Sequence, residues 1–507
     1  MNPEQRNKII ASIGLPLFVV IFYVTASLHF TYTPDDTYIY LQYVKNFIHG
    51  NGMSFNAGEP TYGFTSPLWL LLVSLGGKMG VDLYVAAKVM DLFLAAISIA
   101  LFFILAYEML RDVLPALLAT IAFSFNAWFL RWAGSGMETS LGVMLVLLVF
   151  WYCLRNEYMM ATVFTTLLTL VRPESFILLA LIVVDIYINS NSKRRALKMG
   201  AAMVLLYTVF LLPWWIYAYV TFGSFIPNTA LAKSGLNFQI GDIVATFWDT
   251  VQTFGLTDGL SIVLIAICGV IVFRRSKNET EQEEMIHFFL LRQSILVLVW
   301  VVGIIAFYCI TGVNVVSRYL LILTPVTLIL AYLLLQFALR KLQLLRFVYP
   351  ALALLTILVV LQNQIVYRKV VLPGIEKFET GMQECLLPIG DWFRVNTPDG
   401  TQIVAADIGA IGYRSDKKIF DTAGLASSEV ISLLHNGMTP YSIIEKKMYQ
   451  QFCTPDYVVD RGSKPEMLKS DTGLVPVFTK SFSKMGLTTN DTTFYTVYKV
   501  RHTENTK

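Results

Sequence analysis

The sequence predicts an α-helical polytopic membrane protein with a small C-terminal α/β domain. The chain of 507 residues is 55% hydrophobic, has a mean hydropathy of +0.59, and carries charge on only 15% of its residues. Soluble domains carry roughly 25% charged residues. The apolar residues form long runs before residue 365, and charges are spread throughout the chain after it. The net charge of +4 gives no reason to expect a nucleic-acid partner.

Eleven apolar runs are candidate transmembrane helices, since about 20 apolar residues in helical conformation cross a bilayer core. The spans are predicted at 9–30, 84–110, 113–130, 140–154, 158–171, 175–188, 197–220, 260–273, 287–310, 319–339 and 345–364. The first run lacks a small-x-small cleavage site and is expected to be retained. Residues 171–174, which include a proline, are alternatively a kinked re-entrant corner.

Loop charges orient these spans. Placing the N-terminus in the cytoplasm puts the basic groups at 193–195, 274–277 and 340–346 on the cytoplasmic side, as the positive-inside rule requires. The odd number of spans then leaves the tail outside. We expect a transmembrane domain at 1–366, with a structured first outer loop at 31–83, and a soluble outer domain at 367–507.

The tail has the mixed pattern of a small α/β domain. Strands are predicted at 402–406, 419–420, 457–459 and 493–500, with helices at 374–395 and 427–436, although the strand order is not readable. The five cysteines show no CxxC spacing, which argues against a cysteine metal site, while Cys385 and Cys453 leave a disulfide in the tail open.

Two adjacent carboxylates, Asp35 and Asp36, stand at the start of the first outer loop. An apolar face at 40–48 predicts a helix directly after them, lying in the membrane interface, and a second apolar piece at 67–75 is too short to cross alone. One carboxylate suffices for a helix N-cap. The pair is therefore also given a functional interpretation. One carboxylate is a general base for an acceptor hydroxyl, and the other positions it or holds a divalent cation.

Other polar motifs fall at the same predicted outer ends of spans. Their candidate site residues are Glu138, Arg172, Glu174, Asn228, Lys233, Arg318 and Tyr319. Each motif has a simpler explanation as turn chemistry, a local salt bridge or a snorkelling lysine. Together they predict a site with carboxylates on one wall and cations on another, and such cations would bind a phosphate group. The sequence has no P-loop or GxGxxG fingerprint, which argues against ATP or a soluble nucleotide-sugar donor.

Two glycine-rich segments of the tail, 405–413 and 420–425, place acidic residues at strand ends. They are interpreted as turns of the α/β domain, with binding of an acceptor glycan as the alternative.

The ordered set of motifs resembles a known family. The motifs are PDDTYIYLQYVKNFIHGNGMSFNAGEPTYGFTSPLWLLL from Pro34, GMETSL, VRPES, FGSFIPNTALAK, SRYLLILTP and AADIGAIGYRSDKKIFDTAGL. The chain is similar over residues 34–425 to bacterial membrane glycosyltransferases of the GT-C superfamily, closest to the group of the mycobacterial terminal arabinofuranosyltransferase. Its tail is shorter than that of the mycobacterial enzyme, so neither an arabinose donor nor an arabinan acceptor is carried over.

The resemblance implies the GT-C fold in the bacterial cytoplasmic (inner) membrane, with the site and C-terminal domain on the periplasmic side. It implies a polyprenyl-phosphate-linked sugar donor and a catalytic acid/base carboxylate in the first outer loop, at Asp35 or Asp36. A divalent cation assists in related enzymes, and Asp35 and Asp36 would then be its ligands; no other cofactor is expected.

The predicted function is transfer of a sugar from a polyprenyl-phosphate donor to an envelope glycan or glycolipid. Lys233 and Arg318 are expected to bind the donor phosphate, and the partners are the donor, the acceptor and membrane lipids. The remaining candidate residues Glu138, Arg172, Glu174, Asn228 and Tyr319 are expected to bind substrate. The alternatives are a lipid-linked glycan transporter or flippase, which would use pseudo-symmetric halves, and an envelope scaffold that binds glycan through its tail.

Overall fold

The computed structural model describes residues 3–233, 240–274, 281–468, 473–483 and 492–501. The helices in this part of the chain are α1 Pro3–Ser27, α2 Asp35–Ile48, α3 Pro67–Lys78, α4 Leu83–Leu110, α5 Val113–Ser124, α6 Ala127–Trp132, α7 Thr139–Leu154, α8 Tyr158–Thr169, α9 Phe176–Asn189, α10 Lys193–Phe222, α11 Asn228–Lys233, α12 Ile240–Phe273, α13 Glu281–Thr311, α14 Ser317–Leu320, α15 Thr324–Lys341, α16 Val348–Val366, α17 Leu372–Gly381, α18 Leu387–Asn396, α19 Gly409–Ser415, α20 Ile431–His435 and α21 Pro440–Glu445. Short 3-10 turns lie at Pro173–Ser175, Leu345–Phe347, Ser428–Val430 and Met448–Gln451.

The polytopic membrane architecture is confirmed. By length and composition, six helices of the described residues could cross a membrane: Leu83–Leu110, Lys193–Phe222, Ile240–Phe273, Arg292–Thr311, Thr324–Lys341 and the run Leu345–Asn396. Shorter apolar helices lie at Ser12–Ser27, Pro67–Lys78, Val113–Ser124, Thr139–Leu154 and Tyr158–Thr169. A helix is found at each of the eleven predicted spans, although the number that crosses the membrane stays a prediction.

The helix α12 is much longer than the predicted span at 260–273. It begins at Ile240, and Asp242 and Asp249 lie in its first half. These carboxylates interrupt the apolar run in the sequence. The helix therefore extends well before the segment that hydropathy alone had marked.

The predicted helix of the first outer loop is confirmed as α2. It begins at Asp35 and packs against α3 on one side and against α19 of the C-terminal domain on the other. Tyr43 and Val44 are fully buried. The amide of Asn46 donates to the main-chain oxygen of Phe55 at 2.8 Å, which ties α2 to the following hairpin. This hairpin pairs β1 (Ser54–Asn56) with β2 (Glu59–Pro60).

The C-terminal domain is joined to the membrane part by one continuous helical run. The helices α16, α17 and α18 follow one another through π-helical segments at Tyr367–Val371 and Met382–Leu386. The predicted boundary between residues 366 and 367 falls inside this run, and it stays a prediction. Cys385 and Cys453 are both free thiols.

The five-stranded sheet of the domain comprises β3 Gln402–Ala405, β4 Lys418–Asp421, β5 Tyr457–Gly462, β6 Leu474–Ser483 and β7 Thr492–Val500. The strand order is β4-β3-β5-β7-β6, with β3 parallel to β4 and β5, and β7 antiparallel to β5 and β6. Four strands fall where the sequence predicts them. The prediction missed β6, in which Thr479, Lys480 and Ser481 interrupt the apolar pattern.

Polar contacts fasten the C-terminal domain to the segment 31–83. The amide side chain of Asn56 donates to the main-chain oxygen of Ile419 and accepts from its N–H, each at 2.9 Å, as a neighbouring strand would. Lys45 forms an ion pair with Asp416. These contacts hold β4 and α19 against α2, beside the site described next.

Candidate active site

A cavity of about 410 Å³ opens beside the first turn of α2. Segments far apart in sequence form its wall: α2, the loop after β2, the turn before α7, the α8–α9 corner, α11, the end of α13 and α14. Leu425 of the C-terminal domain completes the wall. Of the nine candidate site residues, six line this cavity: Asp36, Glu138, Arg172, Glu174, Arg318 and Tyr319.

Asp36 and Arg318 form an ion pair at the cavity. The Arg318 side chain is only 8% exposed, whereas the Asp36 side chain is 37% exposed. The guanidinium carbon lies 5.3 Å from the ring centres of both Trp132 and Tyr319. Burial lowers the pKa of Arg318, but the charges of Asp36 and Glu138, the Tyr319 hydroxyl and the hydrogen bond to Asp36 together hold that pKa well above its usual value. Arg318 is therefore a fixed cation next to an accessible carboxylate.

A second ion pair joins Arg172 to Glu138 at 3.0 Å. Both side chains are almost completely buried, at 5% and 3% exposure. Arg172 also lies over the Tyr319 ring, 4.8 Å from its centre, and donates to the main-chain oxygen of Arg318 at 3.4 Å. Buried charges of this kind persist only when they are paired. The two arginines are thus held close together by the turn that begins α14.

Glu174 and Tyr308 supply a further polar contact. The Tyr308 hydroxyl donates to Oε1 of Glu174 at 2.7 Å, and the rings of Tyr308 and Tyr319 lie 5.8 Å apart. Sequence reasoning missed Tyr308, which lies in an apolar run of α13. A hydroxyl near the end of a predicted span, on the side of the other polar motifs, was the available signal.

Three buried polar atoms around the cavity have no hydrogen-bond partner among the described residues: Nε of Arg172, Nε of Arg318 and Oε2 of Glu138. Buried polar atoms in native proteins nearly always have partners. Polar groups of a ligand bound in the cavity would supply these partners.

Asp35, in contrast, is occupied by the C-terminal domain. Its Oδ2 accepts from the N–H of Gly409 at 2.9 Å and its Oδ1 from the N–H of Ala410 at 2.8 Å, at the start of α19. Burial and the nearby Asp407 carboxylate raise the pKa of Asp35 to about 7, against these two hydrogen bonds. A Cβ atom on Gly409 would overlap the main-chain oxygen of Asp35, so only glycine fits there.

Asn228 and Lys233 lie on α11. The main-chain N–H of Asn228 donates to the main-chain oxygen of Tyr62 at 2.7 Å. The side-chain amide of Asn228 donates to the main-chain oxygen of Leu425 at 3.3 Å. Asn228 therefore ties the cavity wall to the C-terminal domain without lining the cavity. The side chain of Lys233 lies outside the described residues, and its predicted role stays a prediction.

The two aspartates do not fit a shared divalent cation. Both oxygens of Asp35 accept main-chain hydrogen bonds, while Asp36 is paired with Arg318. Within the described ranges, no three or more His, Cys, Asp or Glu side chains are grouped as metal ligands would be. Both carboxylates already have protein partners that a shared cation would have to displace.

The glycine-rich segment at 420–425 forms a tight turn. The Asp421 carboxylate accepts from the N–H groups of Ala423, Leu425 and Ala426 at 2.6–2.8 Å. Burial raises the pKa of Asp421 to about 6 against these bonds. The turn presents Leu425 to the cavity, and the acceptor-binding alternative stays a prediction.

Sequence reasoning also missed Lys88 and Asp91, which are fully buried in α4. Charged residues inside an apolar span are costly and mark functional positions. Their spacing of one helical turn was a readable signal, but the predicted span was treated as uniformly apolar.

The comparisons with known proteins concern the C-terminal domain and the whole fold separately. Residues 374–499 match a family described as a domain of unknown function (DUF8728). No curated protein matches the chain.

Solved structures match nearly the whole chain. ArnT from Cupriavidus metallidurans in the apo state has a TM-score of 0.63 at 12% identity, over 96% of this chain and 98% of that one. The same protein bound to undecaprenyl phosphate has a TM-score of 0.59 at 13% identity, over 95% and 97%. The arabinofuranosyltransferase AftD from Mycobacteria has a TM-score of 0.52 at 14% identity, over 97% of this chain and 42% of AftD.

At these identities the likeness shows the fold and leaves activity open. The predicted likeness to GT-C membrane proteins is confirmed at the level of the fold. The chain has the predicted GT-C fold.

Proposed function

We propose that this protein is an integral-membrane glycosyltransferase that moves a sugar from a polyprenyl-phosphate-linked donor to an envelope glycan or glycolipid. One observation carries the proposal. An accessible carboxylate, Asp36, is paired with a buried guanidinium, Arg318, in a cavity that also holds the Glu138–Arg172 pair. A base and cations at one cavity are what glycosyl transfer from a phosphate requires.

Asp36 is the base in this proposal. Its carboxylate takes the proton of an acceptor hydroxyl, and that oxygen forms the new bond to the anomeric carbon of the sugar. The bond from this carbon to the phosphate oxygen breaks, and the polyprenyl phosphate leaves with the electron pair. Asp36 is preferred over Asp35 because it lines the cavity, while Asp35 holds α19.

The ion pair between Asp36 and Arg318 explains how Arg318 acts both before and after the proton transfer. Before transfer, Asp36 is paired with Arg318. Once Asp36 is protonated, the pair loses its attraction, and the charge of Arg318 becomes available to the departing phosphate. Arg172, whose pKa is raised above its usual value by Glu138, Glu174 and Tyr308 together despite burial, is placed to share that charge. Lys233 is proposed as a third phosphate-binding cation.

The donor class is supported by the fold and by the cavity wall. A structure with the same fold, that of ArnT, has undecaprenyl phosphate bound. The apolar part of the wall includes Ile226, Leu231, Phe307 and Val313, which suits the first isoprene units of a lipid. Glu138, Glu174 and Tyr319 are proposed to bind sugar hydroxyls, and Asn228 to hold the wall that faces them.

The site is proposed to open on the periplasmic side of the bacterial cytoplasmic membrane. The positive-inside rule supports this orientation, since the basic loops predicted to be cytoplasmic lie at the other ends of the spans. The acceptor would then be a glycan or glycolipid of the envelope. The C-terminal domain would be periplasmic.

The test is incubation of the purified protein in detergent with a panel of polyprenyl-phosphate sugars. The expected result is release of free polyprenyl phosphate from one donor, dependent on Asp36. A protein that moves intact lipid-linked sugar across proteoliposomes, without releasing polyprenyl phosphate, would be the transporter alternative and would overturn the proposal.

A further inference from the structure

Two buried charges in α4 are unused by the proposed chemistry. Lys88 and Asp91 are 0% exposed and lie one turn apart on a helix that is otherwise largely apolar. Burying charges inside a membrane span is costly even when they are paired. Neither residue is among the described residues that line the cavity. Their contacts identify what retains them.

Lys88 holds the chain just before Asp36. Its Nζ donates to the main-chain oxygen of Tyr32 at 2.5 Å and to the hydroxyl oxygen of Thr33 at 3.0 Å. Pro34 follows, with its fixed φ of −59°, and α2 begins at the next residue. Lys88 therefore fixes the position from which the first turn of α2, including Asp36, starts.

Asp91 holds the turn just before Glu138. Its Oδ2 accepts from the N–H of Gly136 at 3.0 Å and from the hydroxyl of Ser135 at 3.2 Å. Gly136 has a φ of +83°, a conformation that other residues rarely adopt. Glu138 therefore lies only two residues after Gly136, which Asp91 holds. Asp91 is itself one helical turn from Lys88 in α4.

The two anchored segments also contact each other. The Thr37 hydroxyl donates to the main-chain oxygen of Ser135 at 3.2 Å. A Cβ atom on Gly136 would lie 2.8 Å from Cγ2 of Thr37 and 3.2 Å from Cδ of Lys88. The start of α2 and the Gly136 turn are therefore in close contact with each other and with Lys88 of α4.

We infer that Lys88 and Asp91 are positioning residues that set the geometry between Asp36 and Glu138 in the cavity, an inference that rests on the proposed function. Proton transfer and attack depend steeply on geometry, and a displacement of about 1 Å lowers a rate about 100-fold. The role of the buried charges is to make this displacement unfavourable.

The test uses the full-length protein with the changes Lys88→Met, Lys88→Arg and Asp91→Asn. Measured with the polyprenyl-phosphate sugar that the wild type cleaves, Lys88→Met is expected to lower kcat about 10- to 100-fold. KM and the affinity for undecaprenyl phosphate should stay within about twofold, and Lys88→Arg should recover part of the rate. The matched control is Asp185→Asn, which removes the partner of Arg292 in a partly buried ion pair away from the cavity and should leave kcat unchanged.

A double variant separates positioning from general loss of structure. If Lys88 acts through Asp36, adding Lys88→Met to Asp36→Asn should slow the reaction no further. Effects that multiply, or an unchanged kcat in both Lys88→Met and Asp91→Asn, would overturn the inference while leaving the proposed function standing.

Hydrogen exchange decides the inference even if the wild type transfers no sugar and the proposed function fails. Lys88→Met and Asp91→Asn should speed amide exchange at residues 33–37 and 135–137 more than in the rest of the protein. Unchanged exchange in both segments would refute the positioning role.

Discussion

Replacing each of the two neighbouring aspartates by asparagine should have opposite consequences. Asp36→Asn removes the proposed base but keeps the shape of the side chain. Loss of a general base lowers rates by about 10²–10⁴-fold, and we expect kcat to fall within this range. Arg318 keeps its positions over Trp132 and Tyr319, and the amide oxygen can still accept one hydrogen bond. The buried Arg318 guanidinium loses its anionic partner, so the free energy of unfolding should fall by about 1–3 kcal/mol.

Asp35→Asn should instead weaken the attachment of the C-terminal domain. The asparagine oxygen can accept from one of the N–H groups of Gly409 and Ala410, but its NH₂ group then faces the other. A buried donor left without an acceptor costs about 1–3 kcal/mol. We expect faster proteolysis of the C-terminal domain, with an activity loss that is smaller than that of Asp36→Asn.

The assay compares release of polyprenyl phosphate, thermal unfolding and limited proteolysis for both variants in the same detergent. The assignment of Asp36 as the base is refuted if Asp36→Asn keeps more than about a tenth of the wild-type rate, since loss of a general base lowers a rate at least about 100-fold. It is equally refuted if Asp35→Asn abolishes transfer while the C-terminal domain stays protected from protease.

Further predictions concern the attachment of the domain and the cavity. Gly409→Ala should expose the C-terminal domain to protease, because the added carbon overlaps Asp35; Gly241→Ala, with nothing within 4 Å, is the matched control. Because docking raises the pKa of Asp35 from 3.8 to about 7, the docked state binds the proton more tightly. The C-terminal domain should therefore hold most tightly to α2 below pH 4, and its attachment should weaken as the pH rises to about 7. Limited proteolysis across this range measures the attachment, and Asp35→Asn should show no such pH dependence. Arg318→Lys should lower the affinity for undecaprenyl phosphate about tenfold, since lysine offers no planar fork for phosphate; unchanged affinity in equilibrium binding would contradict this placement. Leu425→Trp should raise KM for the donor or acceptor, while Leu425→Ala should admit larger substrates in a competition assay.

Much of the site could be predicted because membrane topology restricts where polar motifs meet. Alternation of spans placed Glu138, Arg172 and Arg318 at the same end of the molecule, and all three line one cavity with Asp36. Candidate residues some 280 positions apart in sequence were thus expected together without any contact information, and they line one cavity.

The sequence could not separate Asp35 from Asp36. Adjacent residues of a helix point about 100° apart, since 3.6 residues make one turn. Which of them faces the cavity depends on α19, whose N–H groups come from a segment some 370 residues later. The roles of Lys88 and Asp91 were hidden for a similar reason, because their partners lie in loops that hydropathy does not place.

The most direct test of the account is a structure of the full-length protein with undecaprenyl phosphate bound. The phosphate should lie in the cavity beside Asp36, within hydrogen-bond distance of Arg318 or Arg172. A phosphate at the opposite ends of the helices, or against the C-terminal domain away from this cavity, would contradict it.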